Sequence, residues 1–286
     1  MVIIKTEGGL GNQMFQYAFG KQIAIKNKTN LYLDTTWYRI QFYNQTPRNF
    51  ELNKFRIGQI KNITKEKKDL IIFFVYILLK FKIFKSLCQN EVQFHYKPKI
   101  KFNFFVNYYS GYWQSYKYFY PIKDLLANEF IPNELSEKAR GLINRIAVSQ
   151  AISIHVRRGD YVNNASANSF HGLCDLDYYY KAVNDIRCNK QVDLICIFSD
   201  DIDWVKQNLF IEGVDIIYVS EFVDDHIQEF EIMKQCQHNI IANSSFSWWA
   251  AFLNSNPEKI VIAPKKWFND ESINTSDLCP QEWIRL

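Results

Sequence analysis

At 286 residues the chain is long enough for two cores of roughly 140 residues each, so two domains are expected. Lysine and arginine exceed aspartate and glutamate by 34 − 30 = 4, and the excess is spread along the chain. That pattern offers no basic arm for nucleic acid, yet it leaves the few cations that a nucleoside diphosphate needs.

The six cysteines (Cys88, Cys174, Cys188, Cys196, Cys236, Cys279) include no C-x-x-C pair and no histidine at zinc-ligand spacing, so reduced thiols are expected. Aromatic residues make up 16% of the chain, a surplus that serves core filling or the stacking of sugars and bases.

The chain opens on strand-like Val2-Ile3-Ile4 with no charged n-region or apolar h-region, which predicts a cytoplasmic protein. A glycine-rich turn, Gly8-Gly9-Leu10-Gly11, leads to a helix whose Phe15, Phe19 and Ile23 recur every four residues. Residues 31–34 read as the next strand, and 38–68 as polar and irregular. Residues 70–79 (LIIFFVYILL) are too short to span a bilayer, and Lys80, Lys82 and Lys85 follow. They read as a buried helix or as a basic-flanked element resting peripherally on the inner membrane surface. Residues 102–120 are dense in aromatics and read as variable and surface-forming. Pro132 and the polar run at 134–140 suggest a hinge, giving domains 1–145 and 146–264 and a tail, 265–286.

The second half alternates apolar runs at 151–156, 194–198, 216–219, 239–242 and 260–262 with helical patterns at 176–188, 202–210, 227–237 and 245–253. This is the pattern of an α/β fold with a parallel, doubly wound sheet. Such sheets bind ligands beyond the carboxyl ends of their strands. The groups to inspect are therefore His155-Val156-Arg157-Arg158-Gly159-Asp160, Ser199-Asp200-Asp201 and Asn243-Ser244-Ser245-Phe246-Ser247.

Adjacent arginines at a strand end supply planar charged forks for phosphate oxygens, although an R-R-G-D string also suits a surface loop. Ser244 and Ser245 stand where a helix N-cap belongs, so that helix would aim its amides and positive dipole end at the same place, or be simply capped. Asp200 and Asp201 could accept hydrogen bonds from guanine, ligate a metal, or cap the helix at Ile202; a metal is not expected, because arginines and a helix end already offset diphosphate charge. Gly9-Leu10-Gly11 followed by Asp34 imitates a dinucleotide fingerprint, but Met14 stands where the third glycine belongs. The turn could equally present amides and the side chains of Asn12 and Gln13 to a substrate, and chemistry alone leaves both readings open.

Five ordered segments, GGLGNQMFQYAFG at 8–20, HVRRGDYV at 155–162, FHGLCDLDYYYKAV at 170–183, FSDD at 198–201 and HNIIANSSFSWWAAFLN at 238–254, together resemble bacterial α-1,2-fucosyltransferases of glycosyltransferase family 11. The resemblance implies a GT-B fold of two Rossmann-like domains facing a cleft. It also implies GDP-β-L-fucose as donor, inversion at the anomeric carbon, no metal or other cofactor, and a β-galactoside acceptor. By its matching positions, Arg157 and Arg158 hold the donor β-phosphate, His155 with Asp200 or Asp201 lies near guanine, and Ser244, Ser245 and Phe246 form the phosphate and nucleoside pocket. Gly9, Gly11, Asn12 and Gln13 fall on the acceptor side, with Asn12 beside the reacting oxygen. The sequence departs from the pattern at Glu7 and Asp175.

Charge building on the leaving phosphate makes its stabilisation the main catalytic demand, and the acceptor hydroxyl calls for a base, for which Asp160 and His171 are candidates. The many lysines, isoleucines and asparagines, the cytoplasmic start and the apolar 70–79 segment fit an enzyme of surface-glycan assembly acting on lipid-linked acceptors. A different nucleotide-sugar donor, an NAD-dependent enzyme and a carbohydrate-binding protein without turnover are the competing readings.

Overall fold

An apolar run with no polar alternation suits a strand covered on both faces. Val2, Ile3 and Ile4 are each 0% exposed in the computed structural model, which describes residues 1–39, 47–58, 60–61, 87–91, 94–159 and 172–286. They belong to β1 (Val2–Lys5), from which the chain enters α1 (Leu10–Lys26) and returns as β2 (Leu31–Asp34), parallel to β1. α1 can lie close on β1 because residue 20 is glycine: a Cβ there would stand 2.3 Å from Ile4 Cγ1. The helix ends where the Asn27 side-chain amide donates to the Ile23 carbonyl at 2.8 Å. β3 (Cys88–Asn90) and β4 (Asn107–Ser110) complete a parallel sheet of order β2-β1-β4-β3, and α2 (Lys123–Glu129) follows.

Residues 102–120, expected to be variable surface, instead contain β4, an interior strand of this sheet. Tyr109, Trp113 and Phe119 are buried, and Trp113 stacks on Phe19 of α1 with ring centroids 3.9 Å apart. The strand was hard to read because it holds no aliphatic residue and begins with a buried asparagine. Asn107 is tolerated there because its side chain both donates to and accepts from the Asn103 backbone.

The second unit begins with α3 (Glu137–Ala147), capped by Ser136, whose Oγ accepts from the Ala139 N–H. It continues through β5 (Ala151–Val156), α4 (Leu176–Asn189), β6 (Leu194–Ser199), α5 (Ile202–Asn208), β7 (Asp215–Tyr218), α6 (His226–Gln235), β8 (His238–Ile240), α7 (Ser245–Leu253), β9 (Val261–Ala263) and β10 (Ile284–Arg285). The sheet runs β10-β9-β8-β5-β6-β7 with every neighbouring pair parallel. The chain moves outward from β5 through β6 to β7, then resumes on the other side of β5 with β8. The order therefore reverses between β5 and β8, the position at which sheets of this kind bind ligands beyond the strand ends.

The two compact units are Met1–Ile131 with Ile273–Cys279, and Pro132–Ser272 with Pro280–Leu286. The passage falls at Pro132 and not near 145, because α3 packs on α6 and buries Ala139 and Ile146. Residues 265–286 are not a separate tail. Asp277 joins the first unit, accepting from Lys117 and from the Tyr96 N–H, while Ile284 and Arg285 form β10 beside β9. Among the described residues no helix is long and apolar enough to cross a membrane, and residues 70–79 lie outside them.

Directly after β3, Glu91 Oε2 accepts from the N–H groups of Tyr112 (2.7 Å) and Trp113 (2.6 Å). Its Oε1 is buried with no hydrogen-bond partner among the described residues. Burial pushes this carboxyl up to about 7, against the pull of those two amides and of Lys97. The native state thus keeps a proton that the unfolded chain gives up at the ordinary value of 4.5. The sign follows: this stabilisation is complete below about pH 4.5 and is lost as pH rises through about 7. Glu91→Gln, which cannot ionise, should match the parent in urea unfolding at acidic pH and exceed it by up to roughly 3 kcal/mol at mildly alkaline pH. A variant destabilised equally at both pH values would contradict this account.

Candidate functional site

Three adjacent strands, β8, β5 and β6, end at the reversal of strand order, and the second unit's expected site residues follow them. Arg157 Nη1 meets Asp200 Oδ2 at 2.8 Å, and Arg158 Nε meets Asp201 Oδ2 at 3.1 Å. Each aspartate engages one nitrogen of a guanidinium that carries five N–H donors, so it orients the fork without saturating it. Trp204 supports the second fork, with the Arg158 guanidinium carbon 3.6 Å from its ring centroid. Asp201 also caps α5 through the Trp204 N–H, so it serves the helix and the arginine together.

Burial alone would raise the Asp200 carboxyl. Arg157 and the backbone N–H groups of Gly159 and Arg158 outweigh that and hold it below the usual range. Gly159 is required by the packing of the same carboxylate. A Cβ there would stand 2.6 Å from Asp200 Oδ2, so glycine makes room for the carboxylate.

His155 closes β5 from beneath. It is 5% exposed, and its Nδ1 lies 2.9 Å from Ser247 Oγ on α7. Burial, and then Arg157, lower its pKa to about 4, so the imidazole is neutral at physiological pH. Its ring lies 5.8 Å from that of Phe246, which also meets Phe230 at 5.9 Å and His226 at 6.4 Å. Half-buried Phe246 therefore sits on an aromatic shelf suited to a planar ring.

The start of α7 is open to a ligand in one specific respect: Ser244 occupies the N-cap without a side-chain capping bond. Ser244, Ser245 and Phe246 are all partly exposed. Asn243 points the other way. It is 3% exposed, and its amide donates to the carbonyls of Gly172 and Trp267, both at 3.2 Å. The far end of α7 is fixed by a buried polar network. The Asn254 amide donates to Asn239 Oδ1 (2.8 Å) and the Cys236 carbonyl (2.7 Å), and the Asn239 amide donates to Ser153 Oγ (2.7 Å).

The remaining residues lie in the first unit, at the carboxyl end of β1. Gly8 adopts φ 81, where a side chain would also meet the Asn12 amide at 2.7 Å. Gly9 forms the N-cap of α1 without a side-chain bond, and Gly11 is buried in its first turn. Gln13 is 0% exposed and braces the turn, donating to the carbonyls of Gly8 (3.2 Å) and Asn49 (2.8 Å) and accepting from the Glu51 N–H. Asn12 is half-buried, and Gln114 donates to its Oδ1 at 2.8 Å. Asp160 and His171 lie outside the described residues. Asp175 caps α4 through the Tyr178 N–H.

Sequence reading passed over Trp204, His226, Phe230 and Gln114. Only Trp204 had a local signal, an aromatic residue one turn after a helix-capping aspartate. Ser247 lay within a quoted motif without a role.

A family model described as glycosyl transferase family 11 matches residues 96–286. The chain is 34% identical over 296 residues to an alpha-1,2-colitosyltransferase of Escherichia coli, covering 100% of this chain and 99% of that protein. It is also 34% identical over 303 residues to the O-antigen biosynthesis glycosyltransferase WbnK of Escherichia coli, covering 98% of each. Among solved structures, POFUT1 in complex with GDP aligns with TM-score 0.51 at 11% identity, over 92% of this chain and 97% of that chain. That likeness is one of fold, two Rossmann-like units of the GT-B type.

Gly159→Ala should force the Asp200 carboxylate aside and cost roughly 1–3 kcal/mol of stability, as overpacking does. Thermal unfolding checks this; an unchanged midpoint would mean that the loop after β5 yields without strain.

Proposed function

The chain belongs to glycosyl transferase family 11, and from that premise we propose that it moves L-fucose from GDP-β-L-fucose, with inversion, onto the 2-hydroxyl of a terminal β-galactoside during O-antigen assembly. The observation that carries this reading is the pair of aspartate-oriented arginines beside the N-terminus of α7, at the reversal of strand order. Two guanidinium groups follow β5 and a helix N-terminus follows the neighbouring β8, a set of groups that suits a diphosphate better than any neutral ligand.

On this reading Arg157, Arg158 and the amides after Ser244 take up the negative charge that builds on the GDP β-phosphate as the sugar leaves. Neutral His155, the carboxylates of Asp200 and Asp201, and the Phe246 shelf receive guanine, whose N–H groups need acceptors and whose ring needs an apolar face. Asn12, its carbonyl held by Gln114, orients the acceptor hydroxyl, while Gly9, Gly11 and Gln13 shape the acceptor side. No metal enters this scheme, because the protein's own cations offset the diphosphate. Asp160 and His171 remain the candidate bases. The acceptor is a lipid-linked oligosaccharide met at the cytoplasmic face of the inner membrane.

One relative favours a second donor. Alpha-1,2-colitosyltransferase matches the whole chain, and colitose is L-fucose without its 3-hydroxyl. A pocket that hydrogen-bonds that hydroxyl would reject colitose by about 10⁴-fold or more, whereas one that packs against the bare carbon would accept both sugars with little discrimination.

GDP release should be measured with GDP-fucose and with GDP-colitose, in EDTA, with and without β-galactosides. Acceptor-dependent release that survives EDTA and falls by roughly 10²-fold to 10³-fold in Arg157→Ala is the expected outcome. Release only from GDP-colitose would keep the mechanism and change the donor. Release only from another nucleotide-sugar, or EDTA-sensitive turnover, would overturn the proposal.

A further inference from the structure

The edge of the first sheet opposite its strand carboxyl ends carries a surface that the proposed transfer does not use. Phe104 and Phe105, adjacent in the turn that enters β4, are 94% and 85% exposed. The turn is braced. Asn107 clamps the Asn103 backbone from both sides, Tyr109 donates to the Lys101 carbonyl at 2.7 Å, and the Lys101 N–H donates to Gln89 at 3.1 Å. The two phenylalanines are therefore held out in water by ordered structure, at a cost in exposed apolar surface that a soluble face ordinarily avoids.

The segments that lead into the strand starts on this edge are basic. The starts of β2, β1 and β4 stand side by side, joined by Val2 N–H to the Asn30 carbonyl (2.9 Å) and Asn107 N–H to the Met1 carbonyl (3.0 Å). Lys26 and Lys28 precede β2, Lys99 and Lys101 precede the phenylalanines, and all four are exposed. Lys61 joins them by donating to Asn30 Oδ1 at 3.1 Å. Residues 25–31, 57–61 and 97–106 contain no aspartate or glutamate. The acids of this sheet, Glu7, Asp34 and Glu91, stand at or just beyond the opposite ends of its strands. Beside Lys28 and Lys61 lies a cavity of about 360 Å³, also lined by Ile25, Asn30, Leu31 and Ile60.

We propose that this edge docks on an anionic phospholipid bilayer, with Phe104 and Phe105 entering the interface and the five lysines facing lipid phosphates. A free phosphate would engage lysines and leave both phenylalanines in water, whereas a bilayer satisfies the two features together. The inference does not depend on which sugar is transferred.

The test is co-sedimentation of the full chain with vesicles of phosphatidylglycerol and phosphatidylethanolamine, against neutral phosphatidylcholine vesicles and a single-stranded oligonucleotide. The expected result is salt-sensitive binding to the anionic vesicles. It should weaken roughly tenfold in Phe104→Ser/Phe105→Ser. It should weaken roughly fivefold per residue in Lys99→Ser/Lys101→Ser. Thermal unfolding and turnover on a soluble acceptor should stay unchanged in both variants. Absence of wild-type binding, equal binding by the variants, or tighter binding to the oligonucleotide than to the vesicles overturns the proposal.

Discussion

Two parallel strands lying side by side, one ending in two arginines and its neighbour in two aspartates, set the character of the second unit. Four charges gathered at one sheet edge would be costly unless each met its opposite, and the strand register allows both pairs to form at once. The pairs are only partly buried: the Arg157 and Asp200 side chains are 20% and 25% exposed, so their worth lies less in stability than in geometry. An arginine held by a neighbouring carboxylate has lost its rotamer freedom before any ligand arrives. Two further details accompany that arrangement. Residue 159 must be glycine to leave space for the carboxylate, and burial together with the charge of Arg157 keeps neighbouring His155 neutral.

The other half of the site depends on polar atoms with no access to water. α7 presents its N-terminus beside β5 because its C-terminal end is tied to β8 and to the middle of β5 by Asn254, Asn239 and Ser153. Trp248, Trp249 and Phe252 fill the space around the helix and are buried, which makes the position of its first turn a property of the core. A helix located by packing at one end and by hydrogen bonds at the other can leave its N-cap hydroxyl uncommitted.

Much of this was legible in the sequence, for identifiable reasons. The strands of the second unit are aliphatic runs closed by turn residues, and each of the five expected strands falls on β5 to β9 with ends displaced by at most two residues. The helix at 245–253 matches α7 throughout. The charged strand ends were visible because polar residues directly follow apolar runs. What stayed hidden depends on contacts distant along the chain. β4 is written in tyrosine and asparagine, and its strand character appears only once Asn107 has Asn103 and Tyr109 has α1 to pack against. β10 is two residues long and exists because β9 offers an edge. Trp204, on α5, acquires its role from an arginine in the loop after β5, and Gln13, read as a group turned toward a ligand, spends its whole side chain on the loop at 49–51 and on Gly8.

The path of the last residues bears on how this architecture can be taken apart. Residues 273–279 leave the second unit and join the first, where Asp277 anchors Lys117 and the backbone at Tyr96, before the chain returns to add β10. Neither unit is a single continuous stretch of polypeptide. A hybrid that exchanges the first unit for that of a relative cannot be made with one junction at Pro132. It must also carry over 273–279, so the natural unit of recombination is an interleaved pair of segments and not an N-terminal half.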